Sequence, residues 1–273
     1  MMFPDFHKVQ IMAVVNVTAD SFYAQSRTQS VEQLEARVAE IVHQGATIID
    51  IGGYSSRPGA DDVPLEQGWE RVDLGVGVVR RVAPEMAVSV DTFRSEIVRR
   101  TVSKYGKIIV NDITAGEGDE QMFATVAELD VPYVAMHMRG TPQTMQSKTE
   151  YGDVVAEVVD YLVCRAAELE RAGFDRDNII LDPGFGFAKS VEQNYALLAG
   201  LSKLVATGYA VLVGLSRKSM IYKVLNTTAE DSLAGTIALS WEALRQGATI
   251  LRVHDVYQAV QIAKIYDKGF RNL

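Results

Sequence analysis

Several features that cross-link, anchor or export proteins are scarce or absent in this 273-residue sequence. It has one cysteine, Cys164, which excludes an intrachain disulfide framework, and no Cys/His spacing suits a zinc site. No apolar run approaches the roughly 20 residues that a membrane-spanning helix needs. Residues 1–8 lack the basic-then-apolar pattern of a secretion signal. We therefore expect a soluble, cytoplasmic protein.

Basic residues are also in the minority. Lysine and arginine number 27 against 35 aspartate and glutamate residues, which gives a formal net charge of -8. Nucleic acids and anionic membranes are bound through an excess of basic surface, so we expect neither as a partner. A small anionic substrate is compatible with this charge, because a few basic side chains can be concentrated in one cleft. With no linker or break in composition, residues 1–273 are predicted to form a single domain.

What the sequence does contain is a series of short apolar runs that alternate with segments of helical periodicity. The predicted strands are 9–15, 47–49, 87–90, 108–110, 133–136, 179–181, 211–215 and 250–253, and the predicted helices are 30–44, 66–82, 95–104, 119–129, 153–172, 191–198, 230–245 and 256–265. This alternation indicates parallel strands joined by right-handed crossovers. The length suits a barrel of about 250 residues. We therefore predict the α/β class and a single (β/α)8 TIM barrel, with its active site at the C-terminal ends of the strands.

Nearly every predicted strand ends in polar or charged side chains, which a barrel would bring together at one end. Asp91, Asn111 and Asp182 each follow an apolar run. Buried carboxylates and amides are costly unless they have partners. Either these groups bond to one another, or they bind a flat ligand rich in N–H groups and ring nitrogens. A pocket in which a carboxylate binds an aminopyrimidine edge beside Phe185 and Phe187 would have this composition.

Two loops carry groups suited to metal and phosphate. Asn16 begins the first loop, and its oxygen suits Mg²⁺, which takes most of its ligands from water and phosphates; capping of the next element is the alternative. The second loop, 50–59, combines paired glycines and two serines with Arg57, which are the donors that a phosphate group needs. A flexible polar turn is the alternative for that loop.

A third group lies on the last two predicted strands. Arg252 and His254 are two residues apart, so both side chains should point the same way and hold the negative charge of a leaving group. A surface salt bridge is the alternative for the arginine. The cluster Ser216-Arg217-Lys218 on the neighbouring strand favours the anion site. By contrast, Gly184-Phe185-Gly186 is not a dinucleotide fingerprint, because Lys189 follows and the third glycine is missing.

Taken in order along almost the whole chain, these segments resemble the dihydropteroate synthases of the folate pathway. The resemblance is carried by Asn16-Val17-Thr18-x-Asp20-Ser21-Phe22, Asp50-Ile51-Gly52-Gly53-x-Ser55-Ser56-Arg57-Pro58-Gly59, Asp91-Thr92, Asn111-Asp112-Ile113, Met136-His137, Asp182-Pro183-Gly184-Phe185-Gly186-Phe187, Ser216-Arg217-Lys218 and Arg252-Val253-His254-Asp255. Each segment is modest alone, but the ordered set is highly specific.

The resemblance implies a homodimeric transferase that joins 6-hydroxymethyl-7,8-dihydropterin diphosphate to 4-aminobenzoate, giving 7,8-dihydropteroate and diphosphate. It places the pterin against Asp91, Asn111, Asp182 and Lys218, Mg²⁺ at Asn16, the diphosphate at Ser56, Arg57, Arg252 and His254, and 4-aminobenzoate beside Pro58, Phe187 and Ser219. The expected catalytic residues are Asp91, Asp182, Lys218, Arg252 and His254. Sulfonamides should then compete with 4-aminobenzoate.

Two departures from the family pattern concern the second loop. Tyr54 stands where the family commonly has Glu, and Ser56 stands where it often has Thr. The serine keeps the hydroxyl, whereas the tyrosine puts a catalytic carboxylate at that position in doubt. Two other functions therefore stay open: a methyltetrahydrofolate-dependent methyltransferase with the same pterin pocket, and a catalytically silent pterin-binding paralogue. Arg57, Arg252 and His254 favour the synthase, since the methyltransferases need no diphosphate site.

Overall fold

The computed structural model describes residues 3–17, 27–53 and 63–270 of the chain. Within these residues the chain forms eight β-strands and ten α-helices. The strands are β1 (Gln10–Asn16), β2 (Ile48–Gly52), β3 (Ala87–Asp91), β4 (Ile109–Asp112), β5 (Tyr133–Met136), β6 (Ile179–Asp182), β7 (Ala210–Val213) and β8 (Ile250–Val253). The helices are α1 (Arg27–Gln44), α2 (Leu65–Val82), α3 (Ser95–Tyr105), α4 (Met122–Leu129), α5 (Val154–Arg171), α6 (Val191–Ala199), α7 (Leu201–Val205), α8 (Ser219–Leu225), α9 (Leu233–Arg245) and α10 (Val256–Gly269).

The eight strands form one closed barrel in chain order, and every pairing is parallel. Strand β1 closes it: Ala13 is paired with Ile49 of β2 on one side and with Val253 of β8 on the other. The predicted (β/α)8 barrel is therefore confirmed. Because the strands are parallel, all their carboxyl ends lie at one mouth of the barrel.

The strands are buried on both faces, which is why the sequence shows them as continuous apolar runs. Outward-facing side chains such as Ala13 and Ile49 pack against the surrounding helices. A separate cluster fills the barrel interior, made of Phe6, Met12, Ile48, Ala87, Ile109, Val134, Ile180, Ala210, Leu212 and Ile250. The lower half of the barrel is therefore a packed apolar core.

The inner face of the barrel changes from apolar to polar toward the mouth. Side chains alternate along a strand, so Asp50 lies on the same inner face as Ile48, two residues before it. The same step leads from Ile109, Ile180 and Ile250 to Asn111, Asp182 and Arg252. The polar side chains therefore share one chamber above the apolar core.

Some elements differ from their predicted bounds. Helices α7 and α8 were not predicted, because segments as short as 201–205 and 219–225 carry too few turns for a clear helical period. Helix α4 begins at Met122 rather than at residue 119, since the Asp119 carboxylate accepts the backbone N–H groups of Ser95 and Gln121 in a preceding turn. Among the described residues, no helix combines the length and apolar character needed to cross a membrane.

Candidate active site

The barrel mouth contains most of the side chains predicted to form the site. Asn16, Asp91, Asn111, Asp182 and Arg252 lie within the carboxyl ends of their strands, and Phe187, Lys218, Ser219 and His254 lie in the segments that follow β6, β7 and β8. Ser56, Arg57 and Pro58 lie outside the described residues, as does Tyr54. The roles assigned to all of these residues stay predictions.

Arg252 is the centre of a charged network inside the mouth. Its Nε donates to Asp50 Oδ2 over 2.7 Å, and its Nη2 donates to Asp91 Oδ2 over 3.0 Å. Asn111 Nδ2 donates to the same Asp50 oxygen over 3.2 Å. Four strands, β2, β3, β4 and β8, are thus joined through side chains. From the sequence we expect Arg252 to face an anionic leaving group; in the structure two of its nitrogens are bonded to carboxylates.

Asp50 is a polar strand end to which the sequence assigns no role of its own in the site. Its side chain is completely buried, yet it accepts hydrogen bonds from Arg252 and Asn111. A buried carboxylate is costly unless it is paired and hydrogen-bonded, so Asp50 anchors the arginine at a fixed position. The available signal was its alternation with Ile48, which places it on the inner face of β2.

Two carboxyl groups of the mouth, Asp91 and Asp182, have raised pKa values because they are buried. Burial raises the pKa of Asp91 to about 7; Arg252 opposes this shift, and nearby acids add to it. Burial also raises the pKa of Asp182, against the opposing charge of Lys218. A ligand that offers positive charge or N–H donors to these carboxylates would stabilise their ionised forms.

The segment after β6 forms a tight turn that carries Asp182 at one end and Phe187 at the other. Gly184 N donates to Asp182 Oδ1 over 2.8 Å, and Phe187 N donates to Gly184 O over 3.1 Å. Gly184 has φ +69°, and a Cβ there would lie 2.0 Å from His137 O, so no other residue fits. The turn therefore fixes the carboxylate and the aromatic ring relative to each other.

Lys218 lies on the open side of this turn. Its Nζ donates to Phe185 O and lies 4.7 Å from the centre of the Phe187 ring. Burial lowers the pKa of Lys218 to about 8, and Asp182 opposes that shift. The lysine, the carboxylate and the ring therefore border one space at the mouth.

The cations after β7 and β8 are not equivalent. Arg217 pairs with Asp255 through Nε (2.9 Å) and Nη2 (2.8 Å), and its Nη1 donates to Ala229 O over 2.8 Å. Arg217 therefore bonds within this loop, and its part in an anion site stays a prediction. His254 is exposed, and its Nδ1 lies 3.0 Å from Ser216 Oγ. Partial loss of water around the ring, and then Arg252, lower the pKa of His254 to about 4.

Lys189 and Asn194 are two further residues that the sequence analysis did not assign to the site. Lys189 is buried behind the turn, and Nζ lies 3.0 Å from Gly184 O and from Phe187 O. Asn194 Oδ1 accepts from Gly186 N over 2.7 Å. The sequence signal for Lys189 is its position directly after an apolar, glycine-rich loop.

Comparisons with known proteins identify the family of the chain. Residues 12–254 match the family model described as pterin binding enzyme. A dihydropteroate synthase of Escherichia coli (strain K12) is 39% identical over 265 residues, covering 96% of this chain and 92% of the relative. A Xanthomonas albilineans dihydropteroate synthase solved with 4-aminobenzoic acid has a TM-score of 0.86 at 38% identity, covering 96% of this chain and 93% of that one. A Yersinia pestis dihydropteroate synthase in a sulfonamide complex has a TM-score of 0.88 at 33% identity, covering 99% and 97%. This chain therefore belongs to the pterin-binding enzyme family and, within it, to the dihydropteroate synthases.

Proposed function

We propose that this chain is a transferase that joins 4-aminobenzoate to 6-hydroxymethyl-7,8-dihydropterin diphosphate, forming 7,8-dihydropteroate and releasing diphosphate. One observation carries the proposal: Asp91, Asn111 and Asp182 share the mouth of the barrel with Arg252 and Lys218. Acids and an amide suit the heterocycle, and the cations suit its phosphates. The Xanthomonas relative solved with 4-aminobenzoic acid supports the second substrate.

The pterin ring is bound by Asp91, Asn111, Asp182 and Lys218. Asn111 Nδ2 donates to Asp50, so Asn111 Oδ1 serves as the acceptor for N–H groups of the pterin ring. Asp182 uses Oδ1 for Gly184 N, and its second oxygen accepts from an aminopyrimidine edge. The Lys218 ammonium donates to ring acceptors on the opposite edge.

The reaction needs charge stabilisation rather than a covalent nucleophile. The amine of 4-aminobenzoate is a weak nucleophile, so the C–O bond to diphosphate is largely broken before the C–N bond forms. The methylene-pterin is then cationic, and Asp91 and Asp182 stabilise it by preorganised electrostatics. The new secondary amine releases one proton, and the C–O electron pair leaves with the diphosphate.

The diphosphate lies on the other side of the mouth, at Arg252 and His254, with Ser56 and Arg57 from the second loop. The Nε and Nη2 of Arg252 are bound to carboxylates, which orients the guanidinium so that Nη1 meets the phosphate. His254 is exposed after β8, and an adjacent dianion would raise its low pKa and favour the protonated, cationic ring. Stabilisation of the leaving diphosphate is therefore shared between Arg252, which is held in place, and His254, whose charge depends on the bound phosphate.

Mg²⁺ is proposed at Asn16. This residue is the exposed last position of β1, paired with Gly52 at the mouth, and offers one neutral oxygen. A single neutral oxygen suits Mg²⁺, which takes most of its ligands from water and phosphates. When bound, the ion would reduce the negative charge of the diphosphate.

The aminobenzoate site is proposed beside Phe187 and Ser219, with Pro58. Phe187 lies at the end of the turn that carries Asp182, and Ser219 follows Lys218 at the start of α8. An aromatic ring next to a lysine offers a stacking surface and a counter-charge for a benzoate. Sulfonamides, which the Yersinia relative binds, are expected to compete at this place.

We also propose a cytoplasmic homodimer. Helices α8 and α10 both pack against α9 and expose apolar side chains, namely Val224, Leu225, Tyr257 and Ile265. Exposed apolar patches on soluble domains are commonly interaction surfaces. The double variant Leu225→Asp/Ile265→Asp should convert a dimer into a monomer in light scattering coupled to size exclusion, and an unchanged mass would exclude this face.

Steady-state turnover tests the function. The purified protein with Mg²⁺, pterin diphosphate and 4-aminobenzoate should release diphosphate and form dihydropteroate in equal amounts. Binding of the pterin without turnover would identify a silent paralogue. Methyl transfer from methyltetrahydrofolate, with no diphosphate release, would identify the methyltransferase.

A further inference from the structure

Lys189 is a buried cation on the closed side of the turn between β6 and α6. Only 5% of its surface is exposed, and its Nζ has three neighbours at 3.0 Å: Gly184 O, Phe187 O and His137 Nδ1. A lysine ammonium has three N–H donors and no acceptor, so the three neighbours match its donors one for one. Such complete pairing is what keeps a buried ammonium in place.

The two carbonyls that Lys189 binds lie near opposite ends of the turn. Gly184 is linked through its N–H to the Asp182 carboxylate, and through its carbonyl to both Lys189 and Phe187 N. The carbonyl of Phe187 is bound directly by Lys189. Lys189 therefore sets the backbone of the residue whose ring borders the aminobenzoate site.

The imidazole of His137 completes the cage. Its ring contacts Tyr161 edge-on at 5.0 Å, and burial together with Lys189 and Arg139 lowers its pKa to about 3. The ring is therefore neutral, and when the protonated Lys189 donates to Nδ1 over 3.0 Å the ring proton resides on Nε2. Burial lowers the pKa of Lys189 itself to about 7, while Asp182 opposes the shift and Lys218 and Arg139 add to it.

The two lysines beside the turn divide its carbonyls between them. Lys218 binds Phe185 O from the open side, whereas Lys189 binds Gly184 O and Phe187 O from behind. Because every donor of Lys189 is used within the protein, it has none for a substrate. Its hydrogen bonds therefore act on the reaction through the turn, while its charge also acts on Asp182.

We propose that Lys189 is a positioning residue for the aminobenzoate subsite: it holds the Phe187 ring at the mouth from behind and acts through that ring. This inference rests on the proposed function. The position of Asp182 is less dependent on Lys189, because β6 and Gly184 N hold it as well, so that Lys189 acts on Asp182 mainly through its charge. Loss of the lysine should therefore affect 4-aminobenzoate more than the pterin.

A double-mutant cycle with Phe187 tests the proposal. Lys189→Met keeps the length and removes the donors, and it should raise the KM for 4-aminobenzoate about tenfold, with kcat and pterin diphosphate binding changed less than about threefold. Phe187→Ala should raise the same KM. If Lys189 acts through Phe187, the double variant should be no worse than Phe187→Ala alone. Lys203→Met, at an exposed position of α7, is the matched control and should match wild type.

Lys189→Gln, which retains two N–H donors, should recover much of the lost affinity. It also replaces Lys189→Met in the cycle if the methionine variant does not fold, as judged by circular dichroism and thermal melting. Independent KM effects in the double variant, an unchanged KM in a folded Lys189 variant, or failure of both variants to fold would overturn the proposal. Lack of turnover by the wild type would instead reject the proposed function, so the two failures are distinct.

Discussion

The two sides of the barrel mouth are built differently. On the proposed pterin side Asp91, Asn111 and Asp182 belong to the strands themselves and are buried, and Asp91 and Asn111 are bonded to Arg252 and Asp50. On the proposed diphosphate side Asn16 and His254 lie at or beyond the ends of their strands and are exposed. The difference indicates that the heterocycle enters a prepared site, whereas the leaving group meets side chains that remain free to adjust.

Removing the arginine should give the largest effect, because it belongs to both sides. Arg252→Ala leaves two buried carboxylates without their cation and removes a donor to the diphosphate. We expect kcat/KM to fall by the equivalent of about 2–4 kcal/mol of transition-state stabilisation. The comparison is with Arg171→Ala, a surface arginine of α5, in steady-state assays. Unchanged kcat/KM in Arg252→Ala would overturn the diphosphate assignment.

Neutralising a carboxylate on the pterin side should rank second. Asp182→Asn keeps the shape of the side chain and the acceptor for Gly184 N, but it removes the negative charge that would stabilise the developing cation. We expect a loss of about 2 kcal/mol, mainly in kcat, since Asp91 still supplies part of the stabilisation. Asp160→Asn, an exposed position of α5, serves as the control. A full-rate Asp182→Asn enzyme would show that the charge is not used.

A variant of Asp50 tests a residue that positions Arg252 without contacting the substrate itself. Asp50→Asn weakens the bonds that hold Arg252 and Asn111 without altering the outer part of the mouth. We expect kcat/KM to fall about tenfold, the size of one weakened charge-assisted hydrogen bond. Combined with Arg252→Ala, the Asn variant should add little. Additive losses would mean that Asp50 acts independently of the arginine.

The smallest effect is expected at exposed His254. Its pKa of about 4 makes it neutral in the free protein near pH 7, and a bound dianion should raise that pKa. Binding then takes up a proton, so affinity for diphosphate should weaken as pH rises from about 4 toward the pKa of the complex. His254→Gln should remove this pH dependence and raise the KM for pterin diphosphate about threefold, as expected for a screened surface charge. Calorimetric titration in two buffers of different ionisation enthalpy would detect the proton, and identical heats would exclude it.

The sequence was sufficient for the fold and for the face on which polar groups gather. Strands buried on both sides appear as apolar runs, and the two-residue alternation places Asn111 and Arg252 on the inner face. The short helices α7 and α8 were missed because they carry too little periodicity. The site was predictable as a collection of side chains rather than as a network of contacts.

Spacing alone does not show which polar group is already bonded within the protein. Arg217 and Arg252 look alike in the sequence, yet Arg217 belongs to a loop contact with Asp255 and Arg252 to the chamber. Lys189 and Lys218 both follow glycine-containing segments, but one faces the protein interior and the other the mouth. These assignments depend on how non-adjacent elements meet in three dimensions, which a local pattern does not encode.

The most direct test of the two-sided mouth is a crystal structure of the protein with pterin diphosphate bound. We expect the heterocycle to lie against Asp91, Asn111, Asp182 and Lys218, with its diphosphate extending toward Arg252 and His254. A ring seated elsewhere, or phosphates placed among the carboxylates, would contradict it.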